Sequence, residues 1–131
     1  MPGTNNFEAI ANNFKPALSQ IVRKAALDIQ AQAQQNAPVD TGFLKNSIYT
    51  VTSQDSTYGN AGTPPGDATM LPEVAAPEDE TTAYVAVGAS YGIYQEMGTR
   101  FQPAQPFLGP AVETVSQSFD AIMQKLESLL Q

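Results

Sequence analysis

The stretch APVDTGFLKNSI, residues 37–48, decides how the chain is read, because a helix stop, a turn and the start of an extended segment follow one another in it. Upstream of it, apolar residues fall at Phe7, Ile10, Ala11, Phe14, Leu18, Ile21, Val22, Ala25 and Ile29. Steps of three and four put these on one stripe of an α-helix. Asn5 is the expected cap, with Glu8 in the capping-box position, and Pro38 ends the helix by disfavouring helical backbone at Ala37. Pro16 lies inside the pattern, where it either bends the helix or opens a second one after a short first turn. Downstream, NSIYTVTS (46–53) is rich in β-branched and aromatic residues, and TTAYVAVGAS (81–90) has the same character. Both read as strands.

Asp40-Thr41-Gly42 is also the tripeptide on which aspartic proteases carry their catalytic aspartate. In those enzymes two aspartates approach closely enough to share a proton, each on a turn after a buried apolar strand. Here Asp40 follows AQAQQNAPV, the polar tail of a helix, and is followed by the bulky and cationic GFLK. A turn made by Pro38, Asp40, Thr41 and Gly42, with the Asp40 carboxylate accepting from backbone amides ahead of it, accounts for the same residues. A dimeric aspartic hydrolase using Asp40 is the remote alternative.

Between the two strands, Ser53 to Glu80 holds Pro64, Pro65, Pro72 and Pro77 with Gly59, Gly62 and Gly66, too broken for a helix or a long strand. A loop of this length is functional or disordered when free. Deletion of Gly59 to Ala76 is expected to be tolerated by the folded domain. After the second strand, YGIYQEMGTR (91–100) reads as a short helix closed by Gly98 in the left-handed conformation. FQPAQPFLGPAVE then leads through three prolines into a last helix, with apolar residues at Leu108, Val112, Val115, Phe119, Ile122, Leu126 and Leu129. This seam suits packing inside the subunit. The result is an α+β fold: a long N-terminal helix and a C-terminal helix packed on a small antiparallel β-sheet, with a long acidic loop insert between the strands. The sheet is expected to recruit further strand from FLKNS or from the insert, since a lone hairpin is marginal. The whole chain, 1–131, reads as one domain with residues 53–80 as its insert.

The 131 residues carry 13 acidic and 6 basic side chains, a net charge of −7, and neither cysteine nor histidine. Disulfides, thiolate metal sites, the usual zinc and copper ligands and imidazole-based triads are thereby excluded. Asp55, Asp67, Glu73, Glu78, Asp79 and Glu80 put −6 on the insert, so the remainder is nearly neutral. Such a chain does not grip a phosphate backbone, though DNA can pass nearby. No basic segment followed by an apolar run opens the chain, and no run of about 18 apolar residues occurs, so a soluble, unexported protein without a membrane segment is expected.

The acids of Glu78-Asp79-Glu80 point apart on an extended segment and read as a solvated run, not a metal site. Tyr84, Tyr91 and Tyr94 lack the interleaved Lys and Arg of a single-strand stacking platform and read as core and interface aromatics. No cofactor or metal is expected, and no enzyme. Arg100 is the one basic residue between Lys45 and Lys125. In an extended, proline-stiffened arm it is either solvated or laid with Phe101 and Phe107 on a neighbouring subunit, where Arg and aromatics dominate.

NAPVDTGFLKNSI followed by YVAVGASYGIYQEMGTRFQPAQPFLGPAVE resembles the tailed-phage family typified by the gene-ten product of a lambdoid phage, made of neck or tail-completion proteins. The resemblance rests on an A-P-x-D-T-G-x-L-x-x-S-I turn, an E-x-G-T stop and a P-A-x-P-F-L-x-P-A run, in that order. It implies a structural virion protein that joins the head connector to the tail. Further implications are a homo-oligomeric ring, expected to be of six copies, with a central passage for the genome, and assembly in the host cytoplasm. Head-completion or connector proteins and tail terminator or tail tube proteins are the implied partners. A tail terminator or minor capsid component is the alternative from the same small ring subunit. Gly98, Thr99, Pro103, Ala104, Pro106 and Phe107 match the shared motif and become candidate assembly contacts, with Arg100 and Phe101 beside them. Intrachain folding of the approach to the last helix is the competing reading of these residues. The acidic insert departs from the family pattern, where the connection is shorter; it is expected to order against a neighbouring ring or to reach into the lumen.

Overall fold

The computed structural model describes residues 2–38, 42–59 and 61–130, with side chains from Phe14 onward except at Leu126, Leu129 and Leu130. Its elements are α1 (Pro2–Asn36), α2 (Phe43–Asn46), β1 (Ile48–Thr52), β2 (Ala83–Val87), α3 (Gly92–Met97) and α4 (Leu108–Leu130). This is an α+β fold in which the long N-terminal helix and the C-terminal helix pack around a two-stranded antiparallel sheet. No helix among the described residues is long and apolar enough to cross a membrane.

Helix α1 runs unbroken through Pro16, so that residue does not open a second helix. It also begins before Asn5, which sits within the helix and not at its cap. The Ala37 amide donates the final helical bond to Ala33 O at 2.9 Å, and Pro38 prevents continuation. Asp40 and Thr41, half of the expected turn, lie outside the described residues. Gly42 lies within them at φ 74°, a left-handed conformation that a glycine adopts without steric cost.

FLKN, expected to lend strand to the sheet, is instead the helical turn α2, closed by Asn46 N donating to Gly42 O at 3.0 Å. Neighbouring residues of a strand point to opposite faces, whereas on a helical turn Phe43 and Leu44 can enter the same core. Both do, at 2% and 3% exposure.

Strand β1 pairs with β2 in the register Ile48 to Val87, Thr50 to Val85 and Thr52 to Ala83. Every residue of β1 is buried. On one face α1 lies against it through alanines, Ala26, Ala33 and, just past the helix end, Ala37, all buried. Small side chains let the strand approach closely enough for Thr50 Oγ1 to donate to Gln30 Oε1 at 2.7 Å. On the other face Tyr49 stacks edge-on against Tyr58 of the insert, ring centroids 4.8 Å apart, and its hydroxyl accepts from Val74 N at 3.0 Å.

The insert is thus the second cover of the sheet. It has no helix or strand of its own among the described residues, as its prolines and glycines dictate. It first turns back along the outer edge of β1, where Thr52 N donates to Asp55 O and Thr57 N to Thr50 O, at 2.8 and 2.9 Å. It then buries Ala61 and packs Met70 against the core formed by Phe43, Leu44, Ile48, Ala89 and Phe107. Leu71 N donates to Gly88 O and Ser90 N to Thr69 O, fixing the return. Both ends are tied to α1: Arg23 donates to Asp55 through Nε and Nη2, and Ser19 Oγ donates to Glu80 O at 2.8 Å. The expectation of a dispensable insert is corrected by these contacts, which leave Tyr49 and Val51 dependent on it for cover.

Deletion of Gly59 to Ala76 is therefore expected to destabilise the fold by on the order of 3 kcal/mol or more, the scale of uncovering buried aromatic and aliphatic side chains. Thermal unfolding followed by circular dichroism measures it; an unchanged Tm would contradict the two-sided cover of β1.

Candidate assembly surface

Helix α3 is held close to the end of the sheet by Gly92, where an added Cβ would stand 2.6 Å from Val87 Cγ1. Tyr91, just before it, sets its ring 6.2 Å from that of Phe43. With one side so anchored, the helix turns Ile93, Tyr94 and Met97 outward, at 65%, 56% and 73% exposure.

Gly98 then redirects the chain. Its amide donates to Tyr94 O at 2.8 Å, but its backbone has φ 78° and ψ 172°, extended in ψ where the expected left-handed cap would be helical. An added Cβ would lie 2.7 Å from Ala104 N, because the chain doubles back on itself here. Thr99 N donates to Gln102 O at 2.8 Å and Gln102 N returns the bond to Thr99 O at 3.3 Å. Thr99 Oγ1 also accepts from Phe101 N at 3.2 Å. The segment expected to be an extended, proline-stiffened arm thus begins as a tight turn with Arg100 and Phe101 at its tip, followed by the exposed run Pro103 to Pro106. The guanidinium of Arg100 stacks 4.7 Å from the centre of the Phe101 ring. Phe101 is 84% exposed, the most exposed large hydrophobic residue described.

Phe107 is placed differently from its companions. It is 1% exposed and belongs to the core, so its side chain holds the approach to α4 within the chain. Gly98 likewise serves the turn itself. Thr99, Arg100, Phe101, Pro103, Ala104 and Pro106 are left facing outward.

The residue that sequence reasoning passed over is Glu96. Its Oε1 accepts from Phe107 N and Leu108 N at 3.0 and 2.8 Å, and its Oε2 from Gly109 N at 3.0 Å. A helix start leaves four backbone amides without intrahelical partners. At the start of α4 the fourth belongs to Pro110, which has no N–H, so one carboxylate satisfies the whole set. The negative charge also faces the positive end of the helix dipole. Burial by itself pushes the Glu96 carboxyl up, and the three amides together hold it below its ordinary value of 4.5. The E-x-G-T pattern contains this glutamate, but no local spacing announces a cap supplied from the preceding helix.

Among the described residues no cluster of His, Cys, Asp and Glu is arranged to hold a metal ion. The surface offers apolar and aromatic side chains with one arginine, a composition for binding protein.

Residues 4–98 match the model of the family described as "Bacteriophage HK97-gp10, putative tail-component". The match takes in most of the chain, and the protein belongs to this family. It is a structural component of the phage tail, a part of the virion that works alongside other virion proteins, and not an enzyme. The hydrolase alternative for Asp40 is set aside accordingly. Of the candidate assembly residues, Gly98 lies within the matched span and Thr99 to Phe107 lie beyond it. No curated protein and no solved structure matches the chain.

Glu96→Gln is expected to lower stability near neutral pH by about 1–2 kcal/mol, the usual cost of losing a helix cap. Because the folded-state carboxyl lies below 4.5, its contribution is fully present above that pH and is lost as pH falls through the folded value. The Tm difference between wild type and variant therefore narrows on acidification below 4.5, and a constant difference would contradict the charged cap. Phe107→Ala is expected to cost about 3–5 kcal/mol as a core truncation. Phe101→Ala is expected to leave the melting curve within about 0.5 kcal/mol of wild type, as for a surface substitution.

Proposed function

We propose that this tail component is the neck or tail-completion subunit that joins the head connector to the tail. In this reading residues 1–131 act as one unit and several copies close into a ring around the path of the genome. Six copies are the number the family resemblance implies. The head-completion or connector proteins meet one side and the tail terminator or tube proteins the other.

The observation that carries the reading is the uncovered run Ile93, Tyr94, Met97 and Phe101, displayed by α3 and the turn beyond it. These residues belong to elements fixed by Gly92, Gly98 and Glu96, so the run is held in place and yet stays largely exposed among the described residues. Exposed apolar groups on a rigid support mark a surface for protein association. Thr99, Arg100, Phe101, Pro103, Ala104 and Pro106 supply the contacts, while Gly98 and Phe107 set the shape that presents them. The net charge of −7 supports the passage of DNA without adhesion. The insert, tied to α1 at both ends, presents Asp67, Glu73, Glu78 and Asp79 at the surface, where they repel a phosphate backbone.

Light scattering on the purified protein, alone and mixed with its head-completion and tail neighbours, tests this. A discrete assembly of several copies is expected in one or both conditions. Arg100→Ala with Phe101→Ala is expected to abolish the assembly while leaving circular dichroism and melting unchanged. A persistent monomer that binds neither neighbour would overturn the reading.

A further inference from the structure

The sheet is open on one side. Gly88 N donates to Ser47 O, and antiparallel pairing alternates along the register, so Ala86 and Tyr84 bond inward to β1. The backbone groups of Ala83, Val85 and Val87 then point away from it. On the opposite edge the equivalent groups of Thr50 and Thr52 are taken up by residues 55–57. Along β2 no such segment stands among the described residues.

Beside this edge lies an apolar groove of about 340 Å³, floored by α1 and walled by β2 and α4. Val22, Ala25, Ile29, Val85, Val112 and Phe119 line it. The seam of α4, which the sequence suggests is packed inside, is only half covered: Val112 is 45% exposed and Ile122 39%. A two-stranded sheet is too narrow to cover the long stripe of α1, and the groove is the width left over.

The rim is acidic. Glu113 and Asp120 stand three residues before and four after Ser116, a groove residue, and so lie on its row along α4. Neither takes part in an ion pair among the described residues, and both are exposed. The same chain carries the complement: Arg100, also without an ion pair among the described residues, stacked on the exposed Phe101 at the tip of a narrow turn. An apolar concavity with an acidic rim and an aromatic projection with a basic neighbour are the two halves of a head-to-tail contact.

We propose that the groove between β2 and α4 receives the Arg100–Phe101 turn of a second copy of this chain. Phe101 enters the apolar groove and Arg100 pairs with Glu113 or Asp120 at the rim. Because projection and groove are different surfaces of one molecule, the contact is heterologous, the type that closes into rings. The inference rests on the ring reading above and names its interface.

The chain has no cysteine, so introduced thiols report without background. Gln102→Cys beside the tip and Ser116→Cys in the groove are placed together in the full-length protein and treated with a short bis-maleimide. A ladder of covalent multimers is expected, with each single variant giving dimers at most. Adding Phe101→Ala to the double variant is expected to reduce the ladder at least tenfold. Arg100→Glu is expected to lose it too, and Glu113→Arg with Asp120→Arg to restore it in the Arg100→Glu background. No ladder from a protein that light scattering shows to be a multimer would overturn the groove while leaving the ring. Absence of any multimer, alone or with its neighbours, would overturn both.

Discussion

Strand β1 must be buried on both faces, and the rest of the fold follows from how that is done. Two strands alone make only a marginal sheet in water. Here α1 shields one face through Ala26 and Ala33, with Ala37 continuing the row just beyond the helix, and the insert shields the other through Tyr58 and the backbone at Val74. The covers differ in kind. The helix contributes close approach and apolar area; the insert contributes hydrogen bonds along the strand edge and a few buried side chains, Ala61 and Met70 among them. A segment with six acidic residues can do this because its charged side chains stay in solvent while its backbone makes the contacts.

A second constraint holds the surface. Glu96 joins the end of α3 to the start of α4 across a loop that is also held by Gln105 N donating to Gln95 O and by the buried Phe107. Three amide donors on one carboxylate make the separation and direction of the two helices a single geometric unit. Gly98, close against Ala104, closes the turn between them. Arg100 and Phe101 are thus presented from a fixed base, and a projection ordered in advance loses less freedom on binding than a flexible arm would.

The long helices were legible because their stripes repeat over many turns, and the strands because β-branched residues cluster at 48–52 and 83–87. The deepest residues of α1 were not legible. Alanine carries little hydropathy, and its value at positions 26 and 33 lies in letting a strand approach, which only the assembled fold reveals. The turn at FLKN was missed because pairing of Phe43 with Leu44 in one core is a tertiary demand. The motif containing Gly98 was visible, but Glu96 was not, since its partners are backbone groups 11 to 13 residues away with no side-chain pattern. Phe107 and Phe101 look alike in sequence. Only the turn between Thr99 and Gln102 separates them, sending one into the core and the other to the surface.

The unevenness of cover across the sheet bears on the tail role. The edge of β1 is closed by the chain's own residues 55–57, and among the described residues the edge of β2 is left open beside a half-covered α4. Free strand edges and apolar grooves invite indiscriminate association, and proteins that keep them usually do so for a partner. Glu113 and Asp120 share the row of Ser116 along α4 beside this groove, so it disfavours acidic chains. What fits it is a slender, apolar, basic-tipped segment. In a chain whose net charge is −7, the proposed contact between copies requires a local attraction, and Arg100, the one basic residue between Lys45 and Lys125, is the group assigned to it.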